Sequence, residues 1–236
     1  MPPTIATSSL LWLPFTLGIY WFSTELYRRA GKAPLLNPTL LTITATCTML
    51  IPLGVPYAAY FESVGFLHYL LGTAVVALAV PLHRNLRKLV GQLRPIAFAL
   101  VAGSLTSIVC GLLFAKAFGA SDTILLSIAP KSATAAVSME IARGIGGFPA
   151  ITACLTIVTG IIGAVCGPYI LTLAGVNSPS ARGVALGTAS HGIATARAFS
   201  ECELAGCCAS LAMGLNAILT ALLVPAVVAT MRLLNL

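Results

Sequence analysis

The chain has 236 residues, of which 58% are hydrophobic and only 8% are charged. Soluble globular domains carry roughly 25% charged residues, so this composition excludes a soluble fold and predicts an all-α bundle in a lipid bilayer. The net charge of +7 does not indicate nucleic-acid binding, because the basic residues lie between apolar runs without interleaved aromatic residues.

Several uncharged runs reach the roughly 20 apolar residues that span a bilayer. No basic segment precedes the first run, so we expect a retained helix from about Ser8 to Tyr27 rather than a removable signal peptide. No polar linker divides the chain, which predicts a single membrane domain over residues 1–236. The uncharged runs cover residues 1–24, 33–61, 95–115, 144–181 and 204–231.

Two basic clusters orient the first helices. One is Arg28, Arg29 and Lys32, and the other lies within residues 84–94. The positive-inside rule places both on the cytoplasmic side of a bacterial inner membrane. The crossings that this orientation requires are about Leu35 to Leu53, Gly65 to Leu82 and Pro95 to Phe118.

Residues 123–147 are harder to place, because Pro130, Lys131, Glu140 and Arg143 interrupt them. The segment either crosses as a broken helix or enters the membrane and returns, and we expect a re-entrant hairpin. The whole chain then has about seven crossings plus this re-entrant or broken segment. On this count Arg182 lies in the cytoplasm, Glu201 and Glu203 lie outside, and the C-terminus lies in the cytoplasm.

A short sequence repeat within the chain predicts an inverted structural repeat. Residues 71–74 and 186–189 both read Leu-Gly-Thr-Ala. On the expected topology the two copies run in opposite directions, as in many secondary transporters. The repeat halves are roughly 1–94 and 95–236.

Two segments, residues 129–134 and 187–197, are too polar and too interrupted for helices that face lipid. An unpaired backbone group in hydrocarbon costs several kcal/mol, so such breaks persist only beside a cavity or neighbouring helices. A broken helix also directs free N–H groups and a positive dipole end into that cavity. The pattern favours a site for a small organic anion.

The charged candidates in these segments have competing interpretations. Lys131 and Arg197 would each cost roughly 2.5–3.5 kcal/mol at the bilayer centre, so a substrate carboxylate, a structural partner or an interfacial position must compensate them. Glu140 is the candidate partner of Lys131, or else a proton relay. His191 could donate to the substrate, titrate near neutral pH in proton coupling, or only pack.

Polar uncharged side chains complete the expected substrate site, although Ser and Thr also help membrane helices pack. Asn37 precedes Pro38 as in the first turn of a helix. Neither a G-x-S-x-G motif for a hydrolase, nor C-x-x-C pairs for zinc, nor a P-loop occurs, so we expect no enzyme, metal or cofactor. The uncharged candidates are Asn37, Ser132, Thr134, Thr188, Ser190 and Thr195.

Small residues at four-residue spacing predict close helix packing, either within the chain or between subunits of a homo-oligomer. The stripes are Gly163 with Gly167, Gly183 with Gly187, and Gly206 with Ser210 and Gly214.

Five motifs, spread over nearly the whole chain, carry a family resemblance. They are Pro-Leu-Leu-Asn-Pro (34–38), Ala-Val-Pro-Leu (79–82), Ala-Pro-Lys-Ser-Ala-Thr (129–134), Ala-Arg-Gly-Val-Ala-Leu-Gly-Thr-Ala-Ser-His (181–191) and Ser-Leu-Ala-Met-Gly (210–214). Together they resemble the LrgB/CidB/YohK family. The chain departs from the family pattern at Thr134-Ala135-Ala136, where Thr-Thr-Pro is common, and at Gly192 and Ala194, where Ala and Gly are expected.

The resemblance implies a polytopic membrane protein that is similar to the C-terminal part of the plastidial glycolate/glycerate translocator. It therefore implies secondary transport of small monocarboxylates such as glycolate, glycerate, lactate or pyruvate. It equally implies an alternative, an antiholin-like regulator of murein hydrolase activity and cell lysis that acts with a small LrgA-like partner. A passive channel is a third hypothesis that the sequence leaves open.

Overall fold

The computed structural model describes residues 9–31, 36–77, 79–85, 87 and 90–233. These residues form helices and no strand. The chain divides into two compact units, Met1–Ala79 and Val80–Leu236. The helices are α1 (Ser9–Arg29), α2 (Pro38–Leu50), α3 (Tyr57–Ser63), α4 (Gly65–Ala77), α5 (Ala79–Arg84), α6 (Leu93–Ala117), α7 (Asp122–Ile128), α8 (Ala135–Ile145), α9 (Pro149–Leu173), α10 (Pro179–Glu201) and α11 (Glu203–Leu233).

Three of the described helices, α6, α9 and α11, are long and apolar enough to cross a membrane. They match three of the uncharged runs and confirm a multi-pass membrane protein. The first predicted helix is present as α1, with 21 residues, but it is less apolar than these three. The total of about seven crossings is not established by the described residues.

The first unit packs α2 and α3 against α1. The rings of the buried Trp12 and of Tyr60 lie nearly perpendicular with their centroids 5.9 Å apart, and the hydroxyls of Thr16 and Tyr60 lie 3.0 Å apart. At the start of α2, Asn37 Oδ1 accepts hydrogen bonds from two backbone N–H groups, at 3.0 and 3.2 Å. The predicted helix start at Asn37 is therefore confirmed.

In the second unit, residues 122–145 double back on themselves. If α7 and α8 continued in one direction, Phe148 would lie about 30 Å from Ser127, at 1.5 Å per residue. Instead the Phe148 N–H donates to Ser127 Oγ at 2.8 Å, and the Thr152 hydroxyl donates to the Ser127 carbonyl at 3.0 Å. We call residues 122–145 the first hairpin and residues 129–134 its tip. The expected hairpin geometry is present.

α10 also doubles back, which the sequence did not predict. Its backbone is non-helical at Ser190 and His191. In a straight helix Arg182 and Glu201 would lie about 28 Å apart, but Arg182 Nε donates to Glu201 Oε2 at 2.9 Å. We call residues 179–201 the second hairpin and residues 188–191 its tip.

The second hairpin corrects the predicted topology. The prediction that Arg182 and Glu201 lie on opposite sides of the membrane is wrong, because the two side chains form an ion pair. The nearby Glu203 accepts a hydrogen bond from Asn85 Nδ2 at 3.2 Å, so it lies on the same side as Arg84 and Asn85 at the end of α5. We call this side of the unit the basic side. The sequence of residues 179–201 predicts a crossing because its length and apolar composition suit either a crossing or two shorter legs.

Two apolar clusters give the direction of the long helices. On the basic side, Ile96 and Leu100 of α6 pack with Cys208 and Ala212 of α11. At the opposite side, the other ends of the same two helices pack together around the first hairpin. α6 and α11 therefore run parallel, and the prediction that α11 returns to the cytoplasm is wrong. This second cluster contains Ile108, Leu112, Ala129, Val224 and Val228.

The second unit thus contains two successive pairs of a long helix and a hairpin. α6 runs away from the basic side, and the first hairpin then enters from the opposite side. α9 runs back, and the second hairpin enters from the basic side. The inverted repeat with halves 1–94 and 95–236 stays a prediction.

Candidate functional site

The first hairpin tip places Lys131 against the middle of α6. Lys131 Nζ donates to the carbonyl and to the hydroxyl of Ser107, both at 3.0 Å. A Cβ atom built on Gly111 would lie 3.1 Å from Nζ, so the amine packs closely against the α6 backbone at this glycine. Among the described residues, no carboxylate forms an ion pair with Lys131. Its charge is held by neutral oxygen atoms.

The expected pairing of Lys131 with Glu140 is wrong. The Glu140 carboxylate accepts hydrogen bonds from Arg143 Nη1 at 2.6 and 2.8 Å. These residues stand three positions apart on α8, where side chains share a helix face. Both side chains are about two-thirds exposed, at 67% for Glu140 and 64% for Arg143, so this pair points away from the unit's interior.

The second hairpin tip is built around His191. Because a carbonyl can only accept, the Nε2–H of His191 donates to the Thr156 carbonyl, at 2.9 Å. The ring lies over Gly160, where a Cβ atom would be 2.7 Å from Cε1. The neighbouring Ser190 side chain fills the space above Gly163. Glycines in the middle of α9 therefore let the tip approach the helix backbone.

Asn216, near the middle of α11, joins the two tips. Its Nδ2 donates to the Ser132 carbonyl at 2.9 Å and to the Thr188 carbonyl at 3.1 Å. Its Oδ1 accepts a hydrogen bond from Ser104 of α6. Sequence analysis missed Asn216, although a lone amide in the uncharged run 204–231 was an available signal, since polar groups within membrane segments need partners. The tips and three long helices thus meet at one junction.

Three buried hydroxyls around this junction have no hydrogen-bond partner in the part of the chain that the structure describes. They belong to Ser132 on the first tip, Thr156 on α9 and Thr220 on α11. Each residue is at most 1% exposed. Thr220 follows Asn216 by one helical turn, and the Thr156 carbonyl binds His191. Buried polar groups are normally satisfied, so the junction retains unused hydrogen-bonding capacity.

Two grooves lead along α6 to the junction. One, of about 480 Å³, lies between α6 and the first leg of the second hairpin, and runs from Gln92 to Ser107. The other, of about 500 Å³, lies between α6 and the first hairpin, and runs from Phe118 to Ser107 and Lys131. Ser107 lines both grooves. A small solute could therefore approach the Lys131 region along α6 from either side of this unit.

Helix starts add positive potential to the same region. α8 begins at Ala135, directly after the first tip, and no side chain caps its first N–H groups. The second leg of the second hairpin begins after His191, where the backbone becomes helical again. Helix N-termini carry partial positive charge. Lys131 and the N–H groups of both helix starts can therefore bind an anion at the junction, where α7 and the first leg of the second hairpin also end with their carbonyl groups.

The other predicted residues are placed differently. The Thr188 hydroxyl donates to the Val184 carbonyl at 2.7 Å, and the Thr195 hydroxyl donates to the His191 carbonyl at 2.8 Å. Thr134 is the residue before α8. Arg197 lies further along the second leg, where Nη1 donates to Ser200 at 3.2 Å. Asn37 belongs to the first unit.

The small-residue stripes pack within the chain. Cβ atoms on Gly183 and Gly187 would clash with the Ala205 and Ala209 carbonyls of α11, and one on Gly167 would meet Leu186 at 2.6 Å. A Cβ atom on Gly214 would meet nothing within 4 Å. Close approach of α10 to α9 and α11 thus accounts for most of these glycines.

Comparison with known proteins identifies relatives over most of the chain. The model of the "LrgB-like family" matches residues 16–230. "Uncharacterized protein YxaC" of Bacillus subtilis is 35% identical over 223 residues, which is 94% of this chain and 96% of the relative. "Holin-like protein CidB" of Staphylococcus epidermidis is 32% identical over 220 residues, covering 93% and 96%. No solved structure matches the chain.

Proposed function

Since this chain belongs to the LrgB-like family, we propose that it is a secondary transporter of small monocarboxylates, of the glycolate, glycerate, lactate or pyruvate class. The observation that carries the proposal is the setting of Lys131. An ammonium group has three N–H donors, and the two Ser107 oxygens use two of them. The third donor and the uncompensated charge suit a carboxylate oxygen.

The surrounding groups support a carboxylate of small size. The α8 start and the second-leg start direct N–H groups and positive dipole ends to the junction. We assign substrate contacts to Lys131, Ser132 and Thr134 on the first tip and to Ser190 and His191 on the second. Thr188, Thr195, Arg197 and Asn37 would act less directly, and Glu140 or His191 would couple protons if transport is proton-linked.

The two grooves support alternating access. Inverted elements that meet at a central site are typical of secondary transporters, in which one bundle moves against the other. Here hairpins enter from opposite sides, and grooves from both sides reach Ser107. Opening one hairpin at a time would expose Lys131 alternately to the two compartments.

The test is uptake of radiolabelled glycolate into proteoliposomes, with and without a pH gradient. We expect saturable uptake and counterflow in the native protein and at least a tenfold lower rate in Lys131→Ala. Lys131→Arg should also lose uptake, because a larger, planar guanidinium group does not reproduce the position of the ammonium group beside the two Ser107 oxygens. Lys116→Ala, at the end of α6, is the matched control and should transport normally.

Other outcomes would separate the alternatives. Flux that rises linearly with concentration and shows no counterflow would support a channel. Absence of uptake of glycolate, lactate and pyruvate, even with the LrgA-like partner in the same vesicles, would contradict the transporter proposal.

The relatives named "Holin-like protein CidB" favour a second candidate, a regulator of murein hydrolase activity and lysis that acts with an LrgA-like partner. A regulator without transport does not need a shaped anion site, so folded Lys131→Arg should restore normal autolysis to a deletion strain. A transporter that affects lysis through its substrate should fail in the same assay. Autolysis rates of strains carrying native protein, Lys131→Arg and Lys116→Ala distinguish the two.

A further inference from the structure

We propose that Asn216 is a positioning residue that latches the two hairpin tips together, so that neither tip can leave the junction without breaking a hydrogen bond to this one amide. The proposal deepens the proposed function, on which its transport consequence rests. Its structural part stands on the contacts of Asn216 alone.

The chemistry of the amide fits this role. Asn216 is fully buried, and its amide offers two N–H donors and one acceptor in a single plane. Each donor binds a carbonyl of a different hairpin, Ser132 on the first and Thr188 on the second. Ser104 donates to the acceptor and thereby fixes which way the amide faces. All three groups of the amide are therefore used.

The two carbonyls need a partner because of the breaks. Ser132 lies between α7 and α8, outside either helix. Thr188 lies in the last turn before the non-helical residues Ser190 and His191, which interrupt the helical hydrogen-bond ladder. In a membrane interior such carbonyls must be satisfied by neighbouring groups. Asn216 supplies both donors from a continuous helix, so it ties the two tips to one point on α11.

The latch predicts coupled behaviour of the tips. When one tip leaves, the amide loses a partner and becomes free to reorient, which weakens its bond to the other tip. Ser104→Ala should weaken both tips through Asn216, although Ser104 touches neither carbonyl in the described hydrogen bonds. In an Asn216→Leu background, Ser104→Ala should add little, because contributions through a shared partner are not additive.

Hydrogen exchange by mass spectrometry tests the latch on the full-length protein in nanodiscs without substrate. We expect Asn216→Leu and Asn216→Asp to accelerate amide exchange at least tenfold in residues 129–134 and 187–193, and Ser104→Ala to accelerate both segments less. Exchange in α6 and α9 away from the junction should not change. Thr220→Val is the matched control, because Thr220 is buried one turn away and its hydroxyl has no hydrogen-bond partner among the described residues.

The contrary results are equally defined. The latch would be overturned if Asn216→Leu accelerated amide exchange in only one tip, in neither tip, or throughout the protein. An equal effect of Thr220→Val on exchange would also overturn it. If Asn216→Leu does not fold, Asn216→Asp and Ser104→Ala give the same comparison.

Transport provides a separate readout. If the latch holds the two halves of the anion site in register, Asn216→Leu should raise the glycolate KM at least tenfold while Lys116→Ala leaves it unchanged. An unchanged KM in a variant with accelerated exchange would overturn the link to the anion site. Failure of native uptake would contradict the proposed function and leave the exchange result standing.

Discussion

At the residue scale, His191 combines backbone strain with a buried polar contact. Among the described residues it is the only one other than glycine with a positive φ, of 41°. Such a conformation costs of order 1–3 kcal/mol and persists only where the surroundings enforce it. Here the hydrogen bond to the Thr156 carbonyl and the packing of the ring on Gly160 enforce it.

Gly160→Ala should disturb this arrangement. Its methyl group would lie 2.7 Å from His191 Cε1 and 2.9 Å from Ile193 Cδ1, and moving the ring breaks the bond to Thr156. We expect a loss of about 1–3 kcal/mol in the free energy of unfolding, as for other overpacked sites. Denaturant unfolding in detergent measures it.

Gly214→Ala is the control, because a Cβ atom there meets nothing within 4 Å. It should leave stability unchanged or raise it by about 0.5–1 kcal/mol, since alanine favours helices over glycine. Equal effects of the two substitutions would contradict the packing described for His191.

At the element scale, the second hairpin is closed at its base by Arg182 and Glu201. Their side chains are only 14% and 20% exposed, whereas the Glu140–Arg143 pair is about two-thirds exposed. Arg182 also donates to the Val176 and Pro168 carbonyls, both at 3.1 Å. The base of the hairpin is thus attached to the end of α9.

Glu201→Gln should destabilise the hairpin base by about 1–3 kcal/mol, because it weakens a shielded, charge-assisted hydrogen bond. Glu140→Gln should change stability by less than about 1 kcal/mol, as is usual for an exposed ion pair. Thermal unfolding and protease sensitivity near residue 202 measure both. A larger effect of Glu140→Gln would contradict the closure of the second hairpin by Arg182.

At the scale of the whole molecule, the second unit alternates long helices with hairpins that enter from opposite sides. The first tip reaches the junction from one side and the second tip from the other, so the anion candidates come from segments far apart in sequence. Lys131 and His191 are 60 residues apart, yet Asn216 binds the tips of both hairpins.

Cysteine labelling should reveal this arrangement. In a background with the other cysteines replaced, Ser178→Cys and native Cys202 should react with an impermeant maleimide from the same side, and Ser121→Cys from the other side. By the positive-inside rule, the first two should be cytoplasmic. Right-side-out and inverted vesicles supply the two measurements. Labelling of positions 178 and 202 from opposite sides would show that α10 crosses the membrane.

The sequence by itself determined that the protein lies in a lipid bilayer, where its long helices are, and where helices break. Apolar runs of bilayer length can be satisfied only in lipid, which predicts α6, α9 and α11. The breaks at 129–134 and 187–197 follow from local chemistry, because proline, glycine and polar side chains weaken a helix wherever it lies. The motifs in those breaks also indicated the family.

Only the tertiary structure decided which way the chain continues after each break and which polar groups meet. After a break, a helical segment of about ten residues can either continue across the membrane or turn back to the side from which the chain entered. Which of the two occurs depends on contacts such as that of Arg182 with Glu201. The pairing of Glu140 with Arg143 rather than Lys131, and the role of Asn216, depend likewise on α6, α9 and α11 packing around the tips. Local sequence cannot specify these contacts, because their partners lie many residues apart along the chain.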